Sequence, residues 1–194
     1  MDSSYVLLEG CRPSKTLEFL ATPPQIRKYL ELGVYCGDTF MKVLRSVDYA
    51  VGVDVSLDAF KAGKEGFFQS TTWRDRARLY EGSTDDFFKQ NDDTFDLIFI
   101  DASHEYEQVK IDLTNSIPIL NEGGYIAMHD IDPLEEWMVD AAHCGDCNKI
   151  LQYIDEHLKD YQFITIHHDL AGVGILQKKT INKFQGLVAP PFRQ

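Results

Sequence analysis

The stretch YLELGVYCGDTF, residues 29–40, decides the fold. Its first part, YLELGVY at residues 29–35, is an apolar run, and after Gly37 a short amphipathic segment extends from Thr39 to Leu44. A strand that passes into a helix through a glycine turn is typical of α/β sheets. Glycine in such a turn lets the backbone approach a ligand closely, and the start of the helix offers free N–H groups. The stretch therefore predicts a nucleotide-type binding site at the end of the first strand.

The same alternation of apolar runs and helical segments continues along the chain. Six further strands are predicted at residues 50–55, 77–82, 95–102, 123–130, 161–168 and 172–179. Helices are predicted at residues 57–68, on the face formed by Val109, Leu113, Ile117 and Leu120, and from about Asn148 to Leu158. Because so few residues separate the last two strands, we expect them to pair antiparallel. The sequence predicts an α/β fold: a Rossmann-like, seven-stranded and mostly parallel sheet with an antiparallel terminal hairpin and helices on both faces.

The length of 194 residues suits one well-buried domain. We expect a helical or irregular N-terminal segment at 1–28, the main domain at 29–180 and a C-terminal tail at 181–194. The 31 acidic and 19 basic residues give a formal net charge of −12, which disfavours nucleic acid as a partner. The first ten residues lack the pattern of a secretory signal, and no apolar run approaches the ~20 residues that span a membrane. A cytoplasmic protein is therefore expected.

The segment HCGDC, residues 143–147, contains the C-x-x-C spacing of a zinc half-site. A structural zinc site needs four ligands, and the sequence has no second C-x-x-C or histidine pair at a suitable spacing. The segment is therefore predicted to be a flexible loop. Reduced thiols are expected, because a disulfide framework is disfavoured by the number and spread of the cysteines, which are Cys11, Cys36, Cys144 and Cys147.

Acidic and small polar residues follow the second and third predicted strands. Asp54 ends the second strand, 17 positions after Gly37, where a carboxylate can accept hydrogen bonds from both hydroxyls of a ribose. The alternative is that Asp54 caps the following helix, for which Ser56 is better placed. Just past the third strand, Ser83 and Thr84 offer small polar groups to an adenine edge. Because the three-glycine pattern G-x-G-x-x-G is absent, a nicotinamide dehydrogenase is disfavoured.

These features resemble those of a known family. YLELGVYCGDTF is similar to the first motif of catechol O-methyltransferase and its relatives, and the segments IDASHEYE and GGYIAMHD resemble a broader set of small class I methyltransferases. The resemblance covers about residues 29–131. It implies S-adenosylmethionine as the cofactor, with Thr39 reaching the methionine carboxylate. The cofactor-binding residues implied are Glu31, Gly33, Tyr35, Gly37, Thr39, Asp54, Ser83, Thr84 and Asp101.

Asp101 and His104 follow the fourth predicted strand, and the carboxyl ends of strands in open α/β sheets face the ligand crevice. Methyl transfer from a sulfonium is an in-line displacement, so the enzyme must orient the acceptor oxygen and take its proton. Histidine, with an ordinary pKa of ~6.5, accepts a proton near neutral pH. His104 is therefore predicted to be the general base, with Asp101 as a second catalytic residue, although the resembling family has a lysine in place of this histidine. The alternative is a histidine that caps or packs against the next helix.

The string MHDID, residues 128–132, ends the fifth strand beside the same crevice. The resembling family binds Mg²⁺ through two aspartates and an asparagine; Asp101 and Asp130 match the aspartates, and Ile131 occupies the asparagine position. Either Asp132, His104 or His129 substitutes for the asparagine, or the metal is lost. The predicted ligands of Mg²⁺ or another divalent cation are Asp101, Asp130 and His129. His167 and His168 are instead expected at a sheet edge.

The function predicted is S-adenosylmethionine-dependent methylation, by resemblance O-methylation, of a small hydroxylated acceptor such as a sugar, a phenol or a secondary metabolite. Two alternatives stay open: a non-catalytic S-adenosylmethionine-binding module and a nucleotide-dependent oxidoreductase. The family carries substrate-cap helices before its first strand, and the 28 residues before Tyr29 are too few for them. The segment 131–147 is therefore predicted to form a wall of the acceptor pocket. A homodimer would cover the apolar residues Val6, Leu7 and Leu8.

Overall fold

The computed structural model describes residues 13–68, 73, 75–167 and 171–179. The strands are β1 (Lys28–Leu32), β2 (Tyr49–Asp54), β3 (Ala77–Glu81), β4 (Phe95–Ile100), β5 (Leu120–His129), β6 (Tyr161–Ile166) and β7 (Val173–Lys178). The helices are α1 (Pro13–Leu20), α2 (Asp38–Val43), α3 (Asp58–Phe68), α4 (Thr84–Gln90), α5 (Tyr106–Ser116) and α6 (Ile150–His157).

The seven strands form one sheet in the order β3-β2-β1-β4-β5-β7-β6. The first five strands in this order pair parallel, and β7 pairs antiparallel with both β5 and β6. The predicted mostly parallel sheet with an antiparallel terminal hairpin is thus confirmed. Strand order reverses between β1 and β4, and ligands of open α/β sheets bind at the carboxyl ends of strands at such a reversal.

Helices cover both faces of the sheet, as the sequence predicted. One core packs α1, α2 and α3 against the sheet through Leu17, Phe40 and Phe60. The other packs α4, α5 and α6 against the opposite face and includes Phe87 and Leu113. Burial on both faces explains why the central strands are nearly continuous apolar runs rather than alternating ones.

The first strand is shorter than predicted. It ends at Leu32 rather than at Tyr35, because the backbone leaves the extended region at Gly33, with φ of 91°, and at Tyr35, with φ of 47°. Strand β4 likewise ends at Ile100, which places Asp101 at the start of the following loop. Both differences move predicted site residues out of strands and into the turns that follow them.

The helix predicted through Val109 and Leu113 ends at Ser116. Ile117 and Leu120 were predicted to lie on the same helical face, and that prediction was wrong. Residues Ile117–Ile119 form a 3₁₀ turn, and strand β5 begins at Leu120. Pro118 lies in that turn, and a proline has no N–H with which to continue an α-helix. Helix α4, with the sequence TDDFFKQ, was not predicted.

In the described part of the chain, every helix is too short or too polar to cross a lipid bilayer. The predictions for Val6, Leu7, Leu8, Cys11, His168 and the tail at 181–194 lie outside the described residues.

Candidate functional site

The turn after β1 packs tightly against the loop after β4. A Cβ atom placed on Gly33 would lie 2.1 Å from the Asp101 carbonyl oxygen, and one on Gly37 would lie 2.4 Å from the Phe60 ring. Both glycines also have positive φ values, of 91° and 77°. An added Cβ at either position would thus meet protein atoms, and contact of these glycines with the cofactor stays a prediction. The close packing of Gly33 brings the β1 turn directly beside Asp101.

Asp54 is fixed at the end of β2 by two backbone N–H groups. Its carboxylate accepts hydrogen bonds from the Tyr35 N–H at 2.7 Å and from the Ser56 N–H at 3.0 Å. The Ser56 hydroxyl accepts from the N–H of Asp58, the first residue of helix α3, at 3.3 Å. The Asp54 side chain is therefore held in place, and it is half-exposed at the edge where β1 and β2 end.

Glu31 lies beneath this turn, with 2% of its surface exposed. The Tyr29 hydroxyl donates to its carboxyl group at 2.5 Å. Burial raises the pKa of Glu31 well above its ordinary value, against the lowering effect of the Tyr29 hydrogen bond. The assignment of Glu31 to the cofactor stays a prediction.

The other predicted cofactor residues occupy different environments. Tyr35 is 73% exposed in the β1 turn, and Thr39 is half-buried in α2. The Ser83 hydroxyl caps α4 by accepting from the Asp86 N–H at 3.1 Å. Thr84 is buried, and its hydroxyl accepts from the Gln108 amide of α5 at 3.2 Å. Ser83 and Thr84 therefore stabilise helices α4 and α5, and a contact with adenine stays a prediction.

Asp101, His104 and Asp130 come together at the ends of β4 and β5. Each offers a ligand atom, and these atoms lie within 4.8 Å of one another; we call these residues the acceptor cluster. His104 Nε2 lies 3.0 Å from an Asp130 carboxylate oxygen. The ring thus points at Asp130 instead of capping α5, which excludes the capping alternative.

The pKa values in the acceptor cluster are interdependent. The hydrogen bond to Asp130 raises the pKa of His104, and a hydrogen bond from the ring to the backbone of His143 raises it further. Burial raises the pKa of Asp130, but hydrogen bonds from His104 and His129 outweigh it and hold that pKa far below the ordinary range. Burial raises the pKa of Asp101, against the hydrogen bond from His129. The pairing therefore favours a protonated His104 beside an ionised Asp130.

The other candidate ligands are placed differently. His129 Nδ1 lies 3.3 Å from carboxylate oxygens of both Asp101 and Asp130, so the ring bridges the two aspartates. Asp132 pairs with His167 at 2.9 Å. Ile131 is fully buried in the core. Of the substitutes considered for the missing asparagine, His104 is the one that joins Asp101 and Asp130 in the described cluster.

His167 directly follows the edge strand β6, and it is 2% exposed. Its pairing with Asp132 explains the burial, because a polar ring inside a protein needs a partner. His143, the histidine of the HCGDC segment, is paired with a surface residue. Its ring lies 2.7 Å from the Asp140 carboxylate.

The HCGDC segment, which was predicted to be a loop, packs onto the acceptor cluster. The Cys144 thiol donates to Asp130 at 3.6 Å, and the Cys147 thiol donates to the Ser103 carbonyl at 3.5 Å. The Asp146 N–H donates to the His104 carbonyl at 3.2 Å. No periodic pattern in the sequence signals these contacts, and the C-G-D-C string with its central glycine is the one local cue.

An open cleft of about 690 Å³ is lined by this segment and the loop after β4. Its lining residues are Ala102, Ser103, His104, Glu105, Val139, Asp140, Ala141, Gly145 and Asp146. Residues of the predicted wall, 131–147, therefore line the cleft together with His104. Such a concave space beside titratable groups is where a small molecule would bind.

Comparison with known proteins gives one family and several similar folds. A model of the methyltransferase domain matches residues 30–131, more than half of the chain. No curated protein matches the chain. The fold is similar to that of the O-methyltransferase TomG from Streptomyces achromogenes in complex with SAM, with a TM-score of 0.69 and 16% identity over 86% of this chain and 79% of TomG.

Two further structures share the fold. Cofactor-bound Rv0187 from MTB has a TM-score of 0.70 and 22% identity, over 85% of this chain and 78% of Rv0187. The O-methyltransferase from Bacillus cereus in complex with SAH has a TM-score of 0.69 and 16% identity, over 87% of this chain and 82% of its own. At these identities the likeness supports the fold, and the family assignment rests on the domain match. The chain therefore belongs to the methyltransferase-domain family and is a class I S-adenosylmethionine-dependent methyltransferase.

Proposed function

We propose that the protein transfers the methyl group of S-adenosylmethionine to a hydroxyl of a small acceptor, such as a sugar, a phenol or a secondary metabolite. The observation that carries this proposal is the acceptor cluster, whose ligand atoms lie within 4.8 Å of one another, and whose His104 lines the cleft of about 690 Å³. Two proteins of similar fold, TomG and the Bacillus cereus protein, are O-methyltransferases by name.

The residues at the ends of β1 and β2 fit the methyl donor. A carboxylate has about four acceptor positions. The hydrogen bonds from Tyr35 and Ser56 to Asp54 leave the others for ribose hydroxyls. Because Gly33 packs against Asp101, the donor's reactive end would adjoin the acceptor cluster. Bound there, S-adenosylmethionine supplies an electrophilic methyl group on its sulfonium sulfur.

His104 would remove the proton of the acceptor hydroxyl. The neutral ring takes this proton while the oxygen forms its bond to the methyl carbon; the carbon–sulfur bond breaks and its electron pair stays on sulfur. The ionised Asp130, 3.0 Å from Nε2, stabilises the imidazolium that results. Because the same interaction raises the pKa of His104, the ring acts as a base over a pH range above the ordinary value for histidine.

The acceptor cluster also fits a divalent cation. Two carboxylates and an imidazole are a donor set that such ions accept, and their ligand atoms are close enough to share one ion. With the ion bound, Asp101, His104 and Asp130 would hold it, and the ion would act as a Lewis acid toward the acceptor oxygen in place of proton removal by His104. His129 would support the two aspartates through its bridging Nδ1.

The proposal is tested with S-adenosylmethionine that carries a ¹³C-labelled methyl group and a panel of sugars, phenols and polyhydroxylated metabolites. We expect a new ¹³C signal at the chemical shift of an O-methyl group in at least one acceptor. The variant His104→Gln should lose turnover by about 10²- to 10⁴-fold while still binding the donor. Undiminished turnover by His104→Gln would exclude His104 as the base. A labelled product with the methyl group on nitrogen or carbon would exclude O-methylation.

A further inference from the structure

The backbone of His104 is in direct contact with the backbone of Gly145. A Cβ atom on Gly145 would lie 1.8 Å from the His104 carbonyl oxygen and 2.8 Å from its carbonyl carbon. Gly145 also has a positive φ of 57°. A side chain at position 145 would therefore force the two segments apart. Glycine at this position allows a loop 41 residues away in sequence to lie against the histidine.

Asp146, the next residue, forms hydrogen bonds with both residues that flank Glu105. Its N–H donates to the His104 carbonyl at 3.2 Å, and its carboxylate accepts from the Tyr106 N–H at 2.6 Å. Tyr106 is the first residue of α5, where backbone N–H groups need partners. The side chain of Glu105, which precedes α5, makes no capping hydrogen bond within the described structure. Asp146 therefore caps α5 from a distant part of the chain.

The same segment also contacts the partner of the His104 ring. Nε2 of the ring lies 3.0 Å from Asp130, whose carboxylate accepts from the Cys144 thiol at 3.6 Å. The loop that carries His104 is short, because it connects the end of β4 at Ile100 to the start of α5 at Tyr106. The backbone of His104 and the aspartate that its ring faces are thus both in contact with residues 144–146.

We infer that Gly145 and Asp146 form a positioning element that sets the place of His104 relative to Asp130. Its effect on catalysis rests on the proposed function of His104, whereas its effect on the placement of the ring does not. The C-x-x-C string therefore places Gly145 and Asp146 beside the acceptor cluster. On either side of this pair, the Cys144 thiol donates to Asp130 and the Cys147 thiol donates to the Ser103 carbonyl.

The test compares three substitutions at one contact. Asp146→Ala removes the acceptor for the Tyr106 N–H. Asp146→Asn keeps an oxygen that can accept from it. Lys149→Ala is the matched control, because it removes the exposed ion pair to Asp146, 2.7 Å long, and leaves the contact with Tyr106 intact. Surface ion pairs of this kind contribute little to stability.

The first measurement is the ¹⁵N spectrum of the histidine rings at one fixed pH, in which the exposed His157 serves as an internal reference. We expect Asp146→Ala to shift the ring signals of His104 and to leave those of His157 in place. The signals of Asp146→Asn and Lys149→Ala should match the wild type. The second measurement is turnover, for which Asp146→Ala should lower kcat by about tenfold or more with little change in KM for S-adenosylmethionine.

Wild-type ring signals of His104 in Asp146→Ala, or a shift in Lys149→Ala as large as in Asp146→Ala, would overturn the inference. If Asp146→Ala does not fold, Asp146→Ser replaces it, because the shorter serine side chain cannot reach Tyr106 from the same backbone position. A wild-type chain that methylates no hydroxylated acceptor would refute the proposed function, while the ring signals would still decide whether Asp146 positions His104.

Discussion

His104 Nε2 lies 3.0 Å from an Asp130 carboxylate oxygen, which couples catalysis and stability to one proton. Asp130 raises the pKa of His104, so the folded chain holds this proton more tightly than the unfolded chain. The resulting stability is fully present below the ordinary histidine pKa and is lost as pH rises through the raised value. A neutral ring is needed to accept a proton, so turnover should increase over the same range.

The two pH profiles should therefore run in opposite directions. We predict that thermal stability falls and kcat/KM rises as pH increases from about 6.5 upward. Asp130→Asn should shift the rise in kcat/KM to lower pH and reduce its maximum, because the imidazolium loses its ionised partner. Thermal unfolding and initial rates at the same set of pH values provide the measurement. Profiles that stay parallel, or an Asp130→Asn profile identical to the wild type, would contradict the coupling.

A second prediction concerns the β1 turn. Gly33→Ala should destabilise the chain by more than about 1 kcal/mol, since Gly33 has a positive φ and an added Cβ would lie 2.1 Å from the Asp101 carbonyl oxygen. It should also weaken binding of S-adenosylhomocysteine, because the turn and Asp101 would separate. Chemical denaturation and calorimetry measure the two effects.

Gly63→Ala is the control for Gly33→Ala. Gly63 lies in α3, and an added Cβ there would meet no atom within 4 Å in the described structure. Alanine at this position should stabilise the helix by about 0.5–1 kcal/mol and leave the binding of S-adenosylhomocysteine unchanged. Equal effects of the two substitutions would show that the packing of Gly33 on Asp101 has no special role.

A third prediction concerns Asp112, which is fully buried in α5. Burial raises its pKa to about 6, against hydrogen bonds from Thr84 and Gln108. Its stabilising contribution is therefore present below the ordinary pKa of 3.8 and is lost as pH rises through about 6. The difference amounts to about 3 kcal/mol. Asp112→Asn should flatten the pH dependence of the unfolding free energy between pH 4 and 7, and the exposed control Asp155→Asn should preserve it.

A fourth prediction addresses the divalent cation. Mn²⁺, followed by electron paramagnetic resonance, should bind the wild type, and Asp130→Asn should weaken that binding by more than about tenfold. Asp132→Asn is the matched control, because Asp132 pairs with His167 outside the acceptor cluster. Full turnover after exhaustive chelation would refute a metal requirement, and unchanged Mn²⁺ affinity in Asp130→Asn would refute the site.

The sequence predicted the sheet because its signals are local. Apolar runs such as residues 95–100 and turn glycines such as Gly33 are visible within a few residues. The strand ends were less predictable, since the backbone leaves the extended region at Gly33, where the turn packs against Asp101. Pro118 is a local signal for the end of α5. It was overlooked because Ile117 and Leu120 continue the apolar spacing of the helix.

The candidate site was predictable in its strand-end residues and not in its contacts. Asp101 and Asp130 follow parallel strands, and such strands end at the same edge of a sheet. The contact between Gly145 and His104 has no such signal, because it joins two irregular loops across 41 residues. The same holds for the burial of His167, which depends on Asp132 in another loop.

The most direct test of the proposed arrangement is a crystal structure with S-adenosylhomocysteine and Mn²⁺. We predict ribose hydroxyls on the Asp54 carboxylate, the sulfur atom facing Asp101 at the junction of β1 and β4, and anomalous density for the metal between Asp101, His104 and Asp130. S-adenosylhomocysteine bound away from the ends of β1 and β4, or no binding at saturating concentration, would contradict the assignment of donor and acceptor sites.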